Sequence, residues 1–145
     1  MATQTVTKRE TKTGITLTGW LKIGLKTALF SVMTVLIVQA LAVAIWPEIR
    51  TFKPLDSYPR SALFTLIPAL GATAVFAWLI RHQSQPDKKF IILSALLLLL
   101  SFIPDYALPL EGKTLLGSSV AALMHLVAGI VTVTTIVTAY RKQAA

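Results

Sequence analysis

"TALFSVMTVLIVQALAVAIW" (residues 27–46) runs for 20 residues without a charge, and its reading decides the fold. At about 1.5 Å of rise per residue it makes a helix about 30 Å long, the thickness of a bilayer's hydrocarbon core. A second uncharged run of 20 residues, "SALFTLIPALGATAVFAWLI", occupies residues 61–80. A third, "FIILSALLLLLSFIP" (90–104), meets Asp105 after 15 residues and needs residues 106–110 to reach the far interface. The fourth covers 114–140, where His125 is the only ionisable group before Tyr140. The pattern predicts an all-α integral membrane protein, an antiparallel four-helix transmembrane bundle.

Composition points the same way. The 145 residues are 54% hydrophobic and 14% charged, with a mean hydropathy of +0.70. Soluble domains carry about 25% charged residues. The absence of cysteine excludes disulfides, thiolate metal sites and cysteine nucleophiles. The net charge of +8 does not indicate nucleic acid. The basic residues cluster at the ends of apolar runs, and no basic face alternates with stacking aromatics.

The expected organisation is a disordered cytoplasmic tail over 1–17, a transmembrane domain over 18–142 and a short tail over 143–145. Within the domain, helices are expected at about 23–46, 61–81, 89–106 and 115–140. The connections "PEIRTFKPLDSYPR", "RHQSQPDKK" and "ALPLEGKT" are short and rich in turn residues. No aqueous domain is expected, so function belongs in or at the bilayer.

Orientation follows from Lys and Arg. Ten of the fourteen fall on the side of the termini and the second connection, among them Lys22, Lys26, Arg81, Lys88, Lys89, Arg141 and Lys142. Arg50, Lys53, Arg60 and Lys113 fall opposite. The positive-inside rule then puts both termini in the cytoplasm. Trp20, Trp78 and Tyr140 are expected in the inner aromatic belt, and Trp46 and Tyr106 in the outer one. Ala42-Val43-Ala44 has the form of a signal-peptidase site. Its apolar run is longer than a signal core and a bulky Ile-Trp follows, so the segment reads as a retained helix.

Counting residues from the cytoplasmic helix ends gives heights. Gln39, Asp105, His125 and Thr65 all fall about 21–22 Å up, one polar side chain per helix in a single layer of the outer half. Around His125 the i±4 row reads Gly117, Ala121, His125, Gly129. Small residues at that spacing admit a neighbouring helix, so this face is expected to look into the bundle. Pro104 and Pro68 each remove a helix hydrogen bond near the layer, and an outward-facing pocket could form there.

His125 is open to three readings: an imidazole bonding a neighbouring helix, a functional ionisable group, or an axial ligand to haem or chlorophyll. For the last, Gly129 would leave room for a planar ring. Asp105 is either a solvated residue capping a helix end or the partner of His125. Gln39 reads as an interhelical hydrogen-bonder, and His82 as an interface residue. The sequence contains no HExxH, paired carboxylates, GxSxG, P-loop or dinucleotide fingerprint, and the chain is read as not an enzyme.

"SFIPDYALPL" followed by "LMHLVAGIV", with its proline-bearing helix end and Met-His pair, resembles a family of small bacterial four-helix membrane proteins of unknown function. The resemblance covers the last two helices best and the four-span layout overall. It implies the fold and a location in the bacterial plasma (inner) membrane, and it brings no activity. The family's histidine carries over onto His125 alone.

Together these readings favour a non-enzymatic membrane protein. Its role would be binding a small ligand or pigment (haem, chlorophyll or carotenoid), or serving as an accessory subunit of a larger membrane complex. The alternative is a small oligomeric transporter or channel with His125 and Asp105 as gate or proton site. The expected partners are the lipid bilayer, further copies of the chain or a larger complex. A metal centre is not expected.

Overall fold

A computed structural model describes residues 14–144. Their architecture is four helices: α1 (Leu17–Ile45), α2 (Tyr58–His82), α3 (Pro86–Ala107) and α4 (Leu115–Ala144). All four are long and apolar enough to cross a membrane, and no strand occurs among the described residues. The expected tail lies, over residues 1–13, outside the described residues.

The helix ends follow local chemistry. Thr16 caps α1 by accepting from the Gly19 N–H at 3.2 Å, so the helix starts at Leu17, earlier than the expected 23. Thr114 caps α4 in the same way, accepting from Gly117 at 2.9 Å. Pro86 opens α3 at a position where a missing N–H costs nothing. No breaker follows Tyr140, and α4 continues through Gln143 to Ala144 instead of giving way to a tail. Pro68 and Pro104 both lie inside continuous helices.

Packing is uneven. α1 lies against both α2 and α4, while α3 rests mainly on α4. Small residues let α1 and α2 close: a Cβ built on Gly24 would stand 3.4 Å from Thr73 Cγ2. The Ser31 and Thr132 hydroxyls join α1 to α4 at 2.9 Å. α3 carries leucine on every side, and Phe90 and Asp105, near its two ends, are its buried residues.

Two apolar clusters stand apart along the bundle. One gathers Trp20, Ile23, Phe76, Phe90 and Ile136. Within it Trp20 meets Phe76 edge-on and stacks on Tyr140, both at 6.2 Å. Trp20, expected in the inner aromatic belt, has its ring buried among these residues. Trp46, Trp78 and Tyr106 remain exposed.

The second cluster contains a surprise. Ile49, Phe52 and Leu55, all from the connection between α1 and α2, are buried with Val35, Ala42, Val120, Ala121 and Met124. Ile49 and Leu55 ride on two short 3-10 turns, Pro47–Thr51 and Lys53–Leu55, and Phe52 is the extended residue between them. The connection folds inward as a plug. It is tied to the α3–α4 connection by Lys53 N–H donating to the Glu111 carbonyl at 3.0 Å. Gly112, at φ 68°, permits that approach, since a Cβ there would lie 1.8 Å from the Thr51 oxygen.

Candidate functional site

Asp105 and His125 come together. His125 Nδ1 stands 3.1 Å from Asp105 Oδ2. The separation is that of an ion pair, but the ring N–H is not aimed at the oxygen. Oδ2 is therefore buried without a hydrogen-bond donor among the described residues. The two groups are thus neighbours without a hydrogen bond between them. Contact is possible because each side chain leans toward the N-terminus of its own helix. Ser118, seven residues before His125, donates to the Asp105 carbonyl at 2.6 Å, so Asp105 is bracketed by two residues of α4.

The two partners differ in surroundings. The Asp105 side chain is 6% exposed, whereas the His125 side chain is 45% exposed on the outside of the bundle. This corrects the expectation that His125 looks inward. Each four-residue step turns a helical row by about 40°, so two steps from Gly117 carry His125 about 80° round α4. Gly117 and Ala121 stay buried, and His125 arrives at the α3 flank.

The other members of the expected layer go elsewhere. Gln39 is fully buried and donates from Nε2 to the Leu55 carbonyl of the plug at 3.1 Å, leaving Oε1 unpartnered. Thr65 donates to the Ser61 carbonyl of its own helix at 2.8 Å. Neither is hydrogen-bonded to the Asp105–His125 pair among the described residues. The small face meets the plug: a Cβ on Gly117 would lie 3.0 Å from Phe52 Cδ1. Side chains of the connection thus fill the space where a pocket opening outward was expected. Beside Gly129, where a planar ring was to fit, both Leu98 methyls lie 3.7 Å from a built Cβ.

Two contributors escaped sequence reasoning. Ser118 anchors the α3 end, and the Gly-Ser-Ser at the start of α4 was the available signal. Lys113 donates to the Tyr106 and Leu108 carbonyls at 2.5 and 3.1 Å, where a helix C-terminus attracts a cation. No group of three or more potential metal ligands occurs among the described residues.

Four apolar helices, a buried carboxylate and a partly exposed imidazole at the level of the spans define the class: a multi-pass helical membrane protein. A family of unknown function (DUF6069) matches residues 16–142, nearly the whole chain, and the chain belongs to it. No curated protein and no solved structure matches.

Proposed function

We propose that this chain is a non-enzymatic accessory subunit that assembles in the membrane through its α3–α4 face. The observation that carries the reading is the His125 ring, 45% exposed beside a buried carboxylate. Ionisable side chains within spans usually face a protein interior or a polar partner, because a full charge at mid-helix costs about 2.5–3.5 kcal/mol. A polar group from another chain laid against α3 and α4 would meet the outward edge of the ring. α3, with little of its surface buried in its own bundle, would gain contacts from the same partner.

The arrangement we favour is antiparallel, with both termini in the cytoplasm of a bacterial cell and the bundle in its plasma membrane. Lys and Arg are concentrated on the side of the termini. Trp20 stacks on Tyr140 and Arg141 pairs with Asp87 at 2.8 Å, which supports one common end for the start of α1, the start of α3 and the close of α4.

The test is the mass of the purified protein in mild detergent. The expected result is an assembly larger than the 15.7 kDa chain that His125→Leu dissociates. A monomer in both proteins overturns the proposal. The same preparation's visible spectrum checks for a pigment, whose band His125→Ala would abolish.

A proton site is the second reading, favoured by the unpartnered Oδ2 beside an exposed imidazole. It requires proton flux in liposomes that Asp105→Asn abolishes. Equal flux from Asp105→Asn and the parent eliminates it.

A further inference from the structure

On the far side of α4 from Leu98, a groove of 460 Å³ runs between α1 and α4. That volume is in the range of small-molecule sites. Lys26 and Lys142 line one end, and among the described residues no carboxylate lines any part of it. Lys26 immediately precedes the uncharged run of α1, which puts its ammonium at the edge of the hydrocarbon. From there the groove descends past Phe30 to Thr34, eight residues or about 12 Å along α1, and past Val131 on α4. Lys26 Nζ sits 5.7 Å from the Phe30 ring centroid, leaning along this path.

The hydroxyls divide in an informative way. Thr34 and Thr134 bond back to the Phe30 and Ile130 carbonyls at 2.7 Å, which hides their polarity. Among the described residues no hydrogen bond engages the hydroxyl of Thr135 or Thr138, the threonines nearer the lysines. The groove is therefore cationic at its mouth, polar just below it and apolar deeper in. That is the profile of one amphiphile: a phosphate head, an ester linkage and an acyl chain.

We infer that the α1–α4 groove binds an anionic phospholipid, its phosphate between Lys26 and Lys142 and one acyl chain along Phe30 and Val131. Basic pockets between spans are suited to such headgroups, each Lys contributing about 1 kcal/mol. The site does not depend on which way the chain faces, and it is separate from the α3–α4 face.

The experiment is a titration of the full chain in detergent micelles with phosphatidylglycerol, followed by the melting temperature. Wild type is expected to melt higher as the lipid is added, and phosphatidylcholine or inorganic phosphate to have no effect. Lys26→Gln/Lys142→Gln should weaken the apparent affinity about thirtyfold, the equivalent of about 2 kcal/mol. Lys88→Gln/Lys89→Gln removes the same charge from the same end and should leave the affinity unchanged. Val131→Trp, which fills the groove without altering charge, should weaken binding as well. An equal loss in the two lysine pairs, binding of phosphatidylcholine with the same affinity, or competition by phosphate would each overturn the site.

Discussion

Phe52 should hold the α1–α2 connection in place by resting on Gly117, and a double-mutant cycle measures this directly. The ring is fully buried although it belongs to a loop. A Cβ on Gly117 would lie 3.0 Å from its Cδ1 and 3.2 Å from its Cβ. Phe52→Ala removes a packed ring and should cost about 3–5 kcal/mol. Gly117→Ala forces the ring to shift by a few tenths of an ångström. Overpacking of this kind costs about 1–3 kcal/mol, offset by up to about 1 kcal/mol of improved helix propensity. In the double variant the methyl of residue 117 enters the void left by the ring, and the clash disappears. The double should therefore be less destabilised than the two singles together, by about 1 kcal/mol or more. Equilibrium unfolding in mixed micelles of dodecyl maltoside and dodecyl sulfate, followed by circular dichroism, gives all four stabilities. A coupling below about 0.5 kcal/mol, the limit of ordinary additivity, refutes the contact.

Three further outcomes can be read in the same assay. Gly112→Ala should destabilise by about 2 kcal/mol or more, since it adds a Cβ at φ 68° against the Thr51 oxygen; a neutral result would mean the α1–α2 and α3–α4 connections do not touch. Ser118→Ala loses the hydrogen bond to the Asp105 carbonyl and should cost about 1 kcal/mol. Asp87→Asn breaks an exposed pair with Arg141, so its effect should stay within about 1 kcal/mol and shrink as salt is added.

The four spans were legible because a bilayer imposes one length and one polarity on every helix, and the runs at 27–46 and 61–80 meet both. The Asp105–His125 approach was legible for a related reason. Counting rise per residue from the helix ends gives usable heights, and the lean of each side chain closes the remaining gap. The same count could not say which way a residue faces. Gln39 and Thr65 count to the same height but answer to nearer partners, a loop carbonyl and their own helix. The i±4 row through His125 failed as a face because it drifts round the helix.

The plug was missed for a more instructive reason. Its three prolines made residues 47–60 read as a short connection rich in turn residues, and the apolar residues within it did not stand out as a set. They are not scattered: Ile49, Phe52 and Leu55 are spaced by three, and so are Arg50, Lys53 and Asp56. Three residues per turn is the period of a 3-10 helix, in which positions i and i+3 eclipse. The connection is two such turns broken at Phe52, whose backbone is extended, yet the spacing by three still leaves one apolar edge and one charged edge, and the former is buried here. Prolines suit such a segment, since Pro47 and Pro54 fall in the first turns of the two short helices, where the missing N–H leaves nothing unbonded. The amphipathic signal was therefore present, but at period three and not 3.6. It also explains why Gly117 and Ala121 are small: they make room for an edge of the chain's own connection, where a neighbouring helix was expected.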